Sequence, residues 1–200
     1  MATAEGAALD EEPIAMVEAA ATHGASVTGA QSLSNSFIGD TIQVCTVTRD
    51  LKRTVEGFIA LGVGPWALYT FSPENCENLT YRGSTDPFSM RVGIANSGTM
   101  MWEVIQPLEG KSLYTEFLDA HGEGVHHVGV GCNDMPWDQR IAEFERRGCA
   151  NVQSGIWRGE VPFAYFETEG LTTTTFEIFQ FPPDFVMPEP EEWVPGPPPA

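Results

Sequence analysis

The sequence predicts an α+β fold made of two βαβββ modules in tandem, and three observations predict it. The openings match. Gln43 heads the apolar run Gln43-Val44-Cys45-Thr46-Val47, His127 heads His127-Val128-Gly129-Val130, and an Asp (Asp50 or Asp134) follows each by seven positions. The middles match, since an amphipathic stretch follows each Asp and stops at a glycine, Gly62 or Gly148. The closings match as well, Trp102-Glu103-Val104-Ile105-Gln106 against Phe176-Glu177-Ile178-Phe179-Gln180.

Residues 1–37 are rich in Ala, Ser, Thr and Gly and read as a flexible N-terminal arm, with one short helix from Glu12 to Ala21. The first module spans 38–108. Ile42 to Thr48 is a strand by its β-branched content. Asp50 caps a helix from Leu51 to about Leu61, with Val55, Phe58 and Ile59 on one face. Pro65 to Phe71, Ser89 to Ala95 and Thr99 to Ile105 follow as strands, and Ser72 to Phe88 is a polar insertion expected to fold over the site. Residues 109–124 read as a linker. The second module, 125–181, repeats the order: strand Val125 to Gly131, a helix beginning at Asp134, and strands Val152 to Trp157, Pro162 to Glu167 and Thr173 to Phe179. Residues 182–200 form a tail with eight prolines. Its density of proline forbids helix and sheet interiors, and Phe185, Val186 and Trp193 are anchors for laying it over the core. Because the repeat closes at Phe179, a cut after Pro183 is expected to leave the fold intact.

The charge balance is 28 acids to 10 bases, a formal net charge of −18. That excludes nucleic acid and anionic lipid as partners, since both need a basic face. Cys45, Cys76, Cys132 and Cys149 form no Cys-x-x-Cys pair and read as buried free thiols. No apolar run reaches membrane-spanning length and the N-terminus does not read as a signal peptide, so a soluble, cytoplasmic protein acting on a small molecule is expected.

Gln43, Glu103, His127 and Glu177 mark the starts and ends of the duplicated unit. All four residue types can ligate one metal ion, and their mirrored placement makes that the leading reading. One imidazole, two carboxylates and an amide oxygen suit Zn, Ni, Co, Mn or Fe(II). Strand alternation puts Gly129 and Gly131 on the face of His127, which leaves room for a substrate or marks close backbone packing. Trp102 and Phe176 point the other way. Arg82, Arg91 and Arg158 are either carboxylate binders or surface ion-pair residues; His23 and His121 read as surface residues.

Tandem βαβββ units with these residues on the first and last strand of each resemble the vicinal oxygen chelate superfamily, which includes glyoxalase I, methylmalonyl-CoA epimerase, extradiol dioxygenases and bleomycin-resistance proteins. Gly122-Glu123-Gly124-Val125-His126-His127-Val128 and Glu103-Val104-Ile105-Gln106-Pro107-Leu108 carry the likeness, which covers Phe37 to Pro182. The resemblance implies a cupped mixed sheet with helices packed outside, a homodimer, and a divalent ion held by Gln43, Glu103, His127 and Glu177. It also implies an isomerase, epimerase or lyase in which Glu177 and Glu103 move a proton next to a metal-bound carbonyl. Val47 and Glu123 stand where glyoxalase I has arginines for glutathione, which argues against that substrate. A ring-cleaving Fe(II) dioxygenase and a metal-free binding protein on the same fold are the competing expectations.

Overall fold

Alternation along the first strand sends Gln43, Cys45 and Val47 to a buried face. This strand, β1 (Thr41–Val47), opens a computed structural model that describes residues 37–198. The expected helix Glu12 to Ala21 and His23 lie outside the described residues. The elements that follow are α1 (Leu51–Ala60), β2 (Trp66–Phe71), β3 (Cys76–Tyr81), β4 (Ser89–Ser97), β5 (Met100–Glu109), α2 (Leu113–His121), β6 (Gly124–Val130), a 3-10 turn (Cys132–Asp134), α3 (Trp137–Arg146), β7 (Asn151–Trp157), β8 (Val161–Phe166), the short α4 (Glu169–Thr172), β9 (Thr175–Phe179) and β10 (Glu192–Val194).

The strands make one curled mixed sheet in the order β10-β2-β4-β5-β1-β6-β9-β8-β7-β3. Each module contributes four strands in the same arrangement. The two join where β1 pairs antiparallel with β6, and β1–β5 and β6–β9 are parallel. Curling brings the far strands β2 and β7 face to face through their side chains: Phe71 stacks on Trp157 at 4.5 Å and Tyr69 meets it edge-on at 5.5 Å.

Two helices lie outside, as expected. α1 packs Leu51 and Val55 against Trp66, Leu68 and Val104, and α3 packs Phe144 on Phe166 with ring centroids 3.9 Å apart. Trp102 and Phe176 point into these outer layers. The third helix departs from expectation. α2 lies in the segment read as a linker, and its Leu113, Tyr114 and Leu118 join the inner core with Cys45 and Val47. Ser112 starts it with a capping box shared with Thr115, and the Leu113 N–H donates to the buried Gln153 Oε1 at 2.8 Å. Thr replaces the Glu or Gln by which that box is usually recognised, so the helix start was missed.

Both outer edges of the sheet are closed by segments that the sequence reading left irregular. The insertion supplies β3, which pairs with β7 of the other module rather than folding over the site. The proline-rich tail supplies β10, which pairs with β2. There Thr70 N–H donates to Glu191 at 2.7 Å and the Tyr69 hydroxyl donates to Pro188 O at 3.0 Å. Of the proposed tail anchors, Phe185 and Trp193 pack on the inner core, whereas Val186 is 83% exposed. The sheet therefore continues beyond Phe179, through prolines placed off the three paired residues. All four cysteines are buried free thiols.

Candidate functional site

Two adjacent rows of the sheet build the floor of the cup. In one row Glu103, Cys45, His127 and Thr175 are cross-strand neighbours; in the next, Met101, Gln43, Gly129 and Glu177. The four residues singled out from the sequence thus meet within one chain. All are buried, His127 completely. His127 Nε2 lies 3.2 Å from Glu103 Oε2 and 3.1 Å from Glu177 Oε2. Those contacts lack hydrogen-bond geometry, and Gln43 Oε1, Glu103 Oε2, His127 Nε2 and Glu177 Oε2 are all buried without a hydrogen-bond partner.

That convergence is costly unless something answers it. Burying one unpaired carboxylate costs several kcal/mol, and here two sit together. Burial lifts the Glu177 carboxyl above its usual range, with Glu103 adding to the effect and His127 opposing it. Burial alone would lower the His127 pKa, but Glu177 and Glu103 outweigh it and raise it to about 9. A proton between two carboxylates answers part of the charge; a divalent cation answers all of it and also takes up the amide oxygen. The donor chemistry fits such an ion.

His127 is oriented by its neighbour. A β-bulge at His126, where the register slips between the Cys45–His127 and Thr46–Val125 pairs, turns both imidazoles inward. Their Nδ1 atoms lie 2.8 Å apart. Burial, with His127 and His121 adding to it, holds His126 well below the usual histidine range and so neutral. The two Nδ1 atoms share one proton, which leaves His127 Nε2 facing the carboxylates.

Three residues of the site were missed from the sequence. Cys45 lies with Glu103 and His127 in a group whose ligand atoms are all within 4.8 Å of one another, a buried cluster able to hold a metal ion. Burial, then Glu103, pushes its thiol pKa well up. Its position two residues after Gln43 already puts it on the same strand face, which is the clue the sequence offered. Tyr165 and Tyr114 form a buried pair: Tyr114 donates to Tyr165 at 2.9 Å, and both line the cup with Glu177. Tyr114 comes from α2, which no repeat pattern marks.

Gly129 does not open space for a substrate. A Cβ there would meet Gln43 Oε1 at 2.7 Å and Phe179 at 2.9 Å, so it is the close-packing alternative that holds. Arg82 is held by Glu116 and Glu167, both at 2.7 Å, and Arg91 reaches Glu192 at 3.6 Å. His121 pairs with Glu169 at 2.9 Å, and Arg158 is exposed. Glu123 is engaged by Arg53 at 2.6 Å and by Arg49 N–H at 2.8 Å.

Residues 42–165 match the profile of the glyoxalase/bleomycin resistance protein/dioxygenase superfamily. The chain belongs to this superfamily. Solved structures with the fold include the hypothetical protein BH1468 from Bacillus halodurans C-125, with 14% identity, a TM-score of 0.56, and coverage of 74% of this chain and 98% of that one. Methylmalonyl-CoA epimerase from Mycobacterium tuberculosis matches at 14% identity and a TM-score of 0.56, over 76% and 95% of the two chains. The Streptomyces coelicolor methylmalonyl-CoA epimerase, in complex with 2-nitronate-propionyl-CoA, matches at 17% and 0.52, over 72% and 98%. Among curated proteins no sequence relative is found. No described helix of this superfamily member is long and apolar enough to cross a membrane.

Proposed function

We propose that the protein is a metal-dependent isomerase, epimerase or lyase that takes a proton from carbon next to a carbonyl. The observation that carries the reading is the meeting of four buried, unpartnered atoms, Gln43 Oε1, Glu103 Oε2, His127 Nε2 and Glu177 Oε2, on the floor of one cup. These residues would hold a divalent ion, with Cys45 beside them. The ion, when bound, would supply Lewis acidity to an oxygen of the substrate.

The remaining work falls to the protein. Glu177 takes the proton; its burial favours the protonated form and makes it a better base than an exposed carboxylate. The hydrogen-bonded Tyr114–Tyr165 pair lines the cup beside it. Glu103 comes from the other module and reaches His127 Nε2 from its own strand. The two carboxylates can serve opposite faces of a flattened carbon, one removing a proton and the other returning it. All four donors belong to one chain, so the homodimer implied by the resemblance is not needed to build the site. A single imidazole at the centre disfavours the ring-cleaving dioxygenase, whose iron wants two.

Protein purified without chelator should carry about one divalent ion per chain, and His127→Ala should lose it. With α-hydroxyketone probes of graded size in deuterated water, the loaded protein should exchange the hydrogen next to the carbonyl. Glu177→Gln should keep most of the metal and lose on the order of a hundredfold or more in exchange rate. Full metal in His127→Ala, or oxygen uptake without exchange, would overturn the reading.

A further inference from the structure

We infer that the molecule bound in the cup is uncharged and largely apolar, with a ring-bearing body and two adjacent oxygens at one end, and not a phosphate-bearing thioester. This deepens the function proposed above and rests on it only for the oxygen end. The walls of the cup define the body.

Above the polar floor the cup is walled by Met90, Phe71, Trp157, Phe163, Phe179 and Phe181 and opens to solvent. The aromatic side chains form a continuous run. Phe179 meets Phe181 at 5.5 Å, Phe181 stacks on Phe185 at 5.2 Å, and Phe185 leads to Trp157 at 6.1 Å and so to Phe71. Rings so placed favour a flat apolar guest, which gains ring-to-ring contacts beyond the area it buries.

Charge points the same way. No Lys or Arg lines the cup. Nor can one be lent from the residues before Phe37, because all ten bases of the chain lie after it. Six of them are already paired with glutamates: Lys52, Arg53, Arg82, Arg91, Arg146 and Arg147. The tail that crosses to β2 adds Asp184, Glu189, Glu191 and Glu192. Several phosphates would find repulsion there and no partner. On the floor, a divalent ion and two carboxylates sum to zero charge, so a neutral guest keeps the buried site neutral.

Calorimetry with paired probes tests this. In the metal-loaded protein, acetohydroxamate and benzohydroxamate present the same two oxygens and differ only in the ring. Benzohydroxamate should bind tenfold or more tighter, and coenzyme A should neither bind nor compete. Metal-free protein should still bind propiophenone saturably and 2-butanone far more weakly. Phe181→Ala and Phe71→Ala, checked for native circular dichroism, should each weaken the ring-bearing probes and leave acetohydroxamate unchanged. Equal binding of the two hydroxamates, or tight binding of coenzyme A, would overturn the inference and leave the proposed function standing. Propiophenone binding in a protein that takes up no metal and no hydroxamate would do the reverse.

Discussion

The two modules are related by a pseudo-twofold between β1 and β6, and Cys45 and Gly129 show where they part. The pairs Gln43–Gly129 and Cys45–His127 exchange under that symmetry, as do Cys45–Glu103 and Gly129–Glu177. Gln43 therefore corresponds to His127, Glu103 to Glu177, and the Cys45 thiol to no side chain at all. The difference has a packing cause. The Gln43 amide occupies the volume that a Cβ on Gly129 would need. The His127 imidazole turns instead toward His126 and the two glutamates, with the Cys45 sulfur beside it. Duplication supplied paired positions; the direction each side chain takes decided what its neighbour can be.

The modules also differ in who closes their edges, and the largest expected effect tests that. A chain ending at Pro183 loses β10, Phe185 and Trp193, and uncovers β2 with Tyr69. It should lose on the order of 3 kcal/mol or more in urea unfolding; an unchanged midpoint would mean the tail merely rests on a finished sheet. The inner asymmetry comes next. Gly129→Ala should cost about 1–3 kcal/mol through overpacking and weaken metal uptake by displacing Gln43, whereas Cys45→Ala should cost about 1 kcal/mol. Equal, small losses in the two variants would show that the glycine is not a packing requirement. The helix starts give the smallest contrast. Asp50 caps α1 by accepting from Arg53 N–H at 3.1 Å, while α3 starts at Pro136 with no side-chain cap. Asp50→Ala should cost about 1 kcal/mol, and Asp134→Asn should stay within about 0.5 kcal/mol; thermal melts separate them.

What the sequence made legible was what duplication repeats. Gln43, Glu103, His127 and Glu177 sit at equivalent places, so the repeat itself flagged them, and alternation then assigned Trp102 and Phe176 to the helix side. What it hid is what occurs once. α2 is a single helix with an atypical Thr115 box; Tyr114 therefore had no counterpart to betray it. β3 and β10 owe their pairing to edges more than sixty residues away in the chain, as Cys76 on Trp157 and Trp193 on Ala67 show. No local pattern specifies such a partner. The His126 bulge was equally invisible, because period-2 alternation sends adjacent histidines to opposite faces.

The crossed edge strands have a consequence for how the chain is made. During synthesis the first module emerges with β2 unpaired on its outer side, and its covering strand is translated only after the whole second module. Until then Trp66 to Phe71 is an open template for another chain. β3, already on hand, must wait for β7. Pairings of such long sequence separation slow folding, so the nascent protein passes through a window in which its own partner strands compete with strangers.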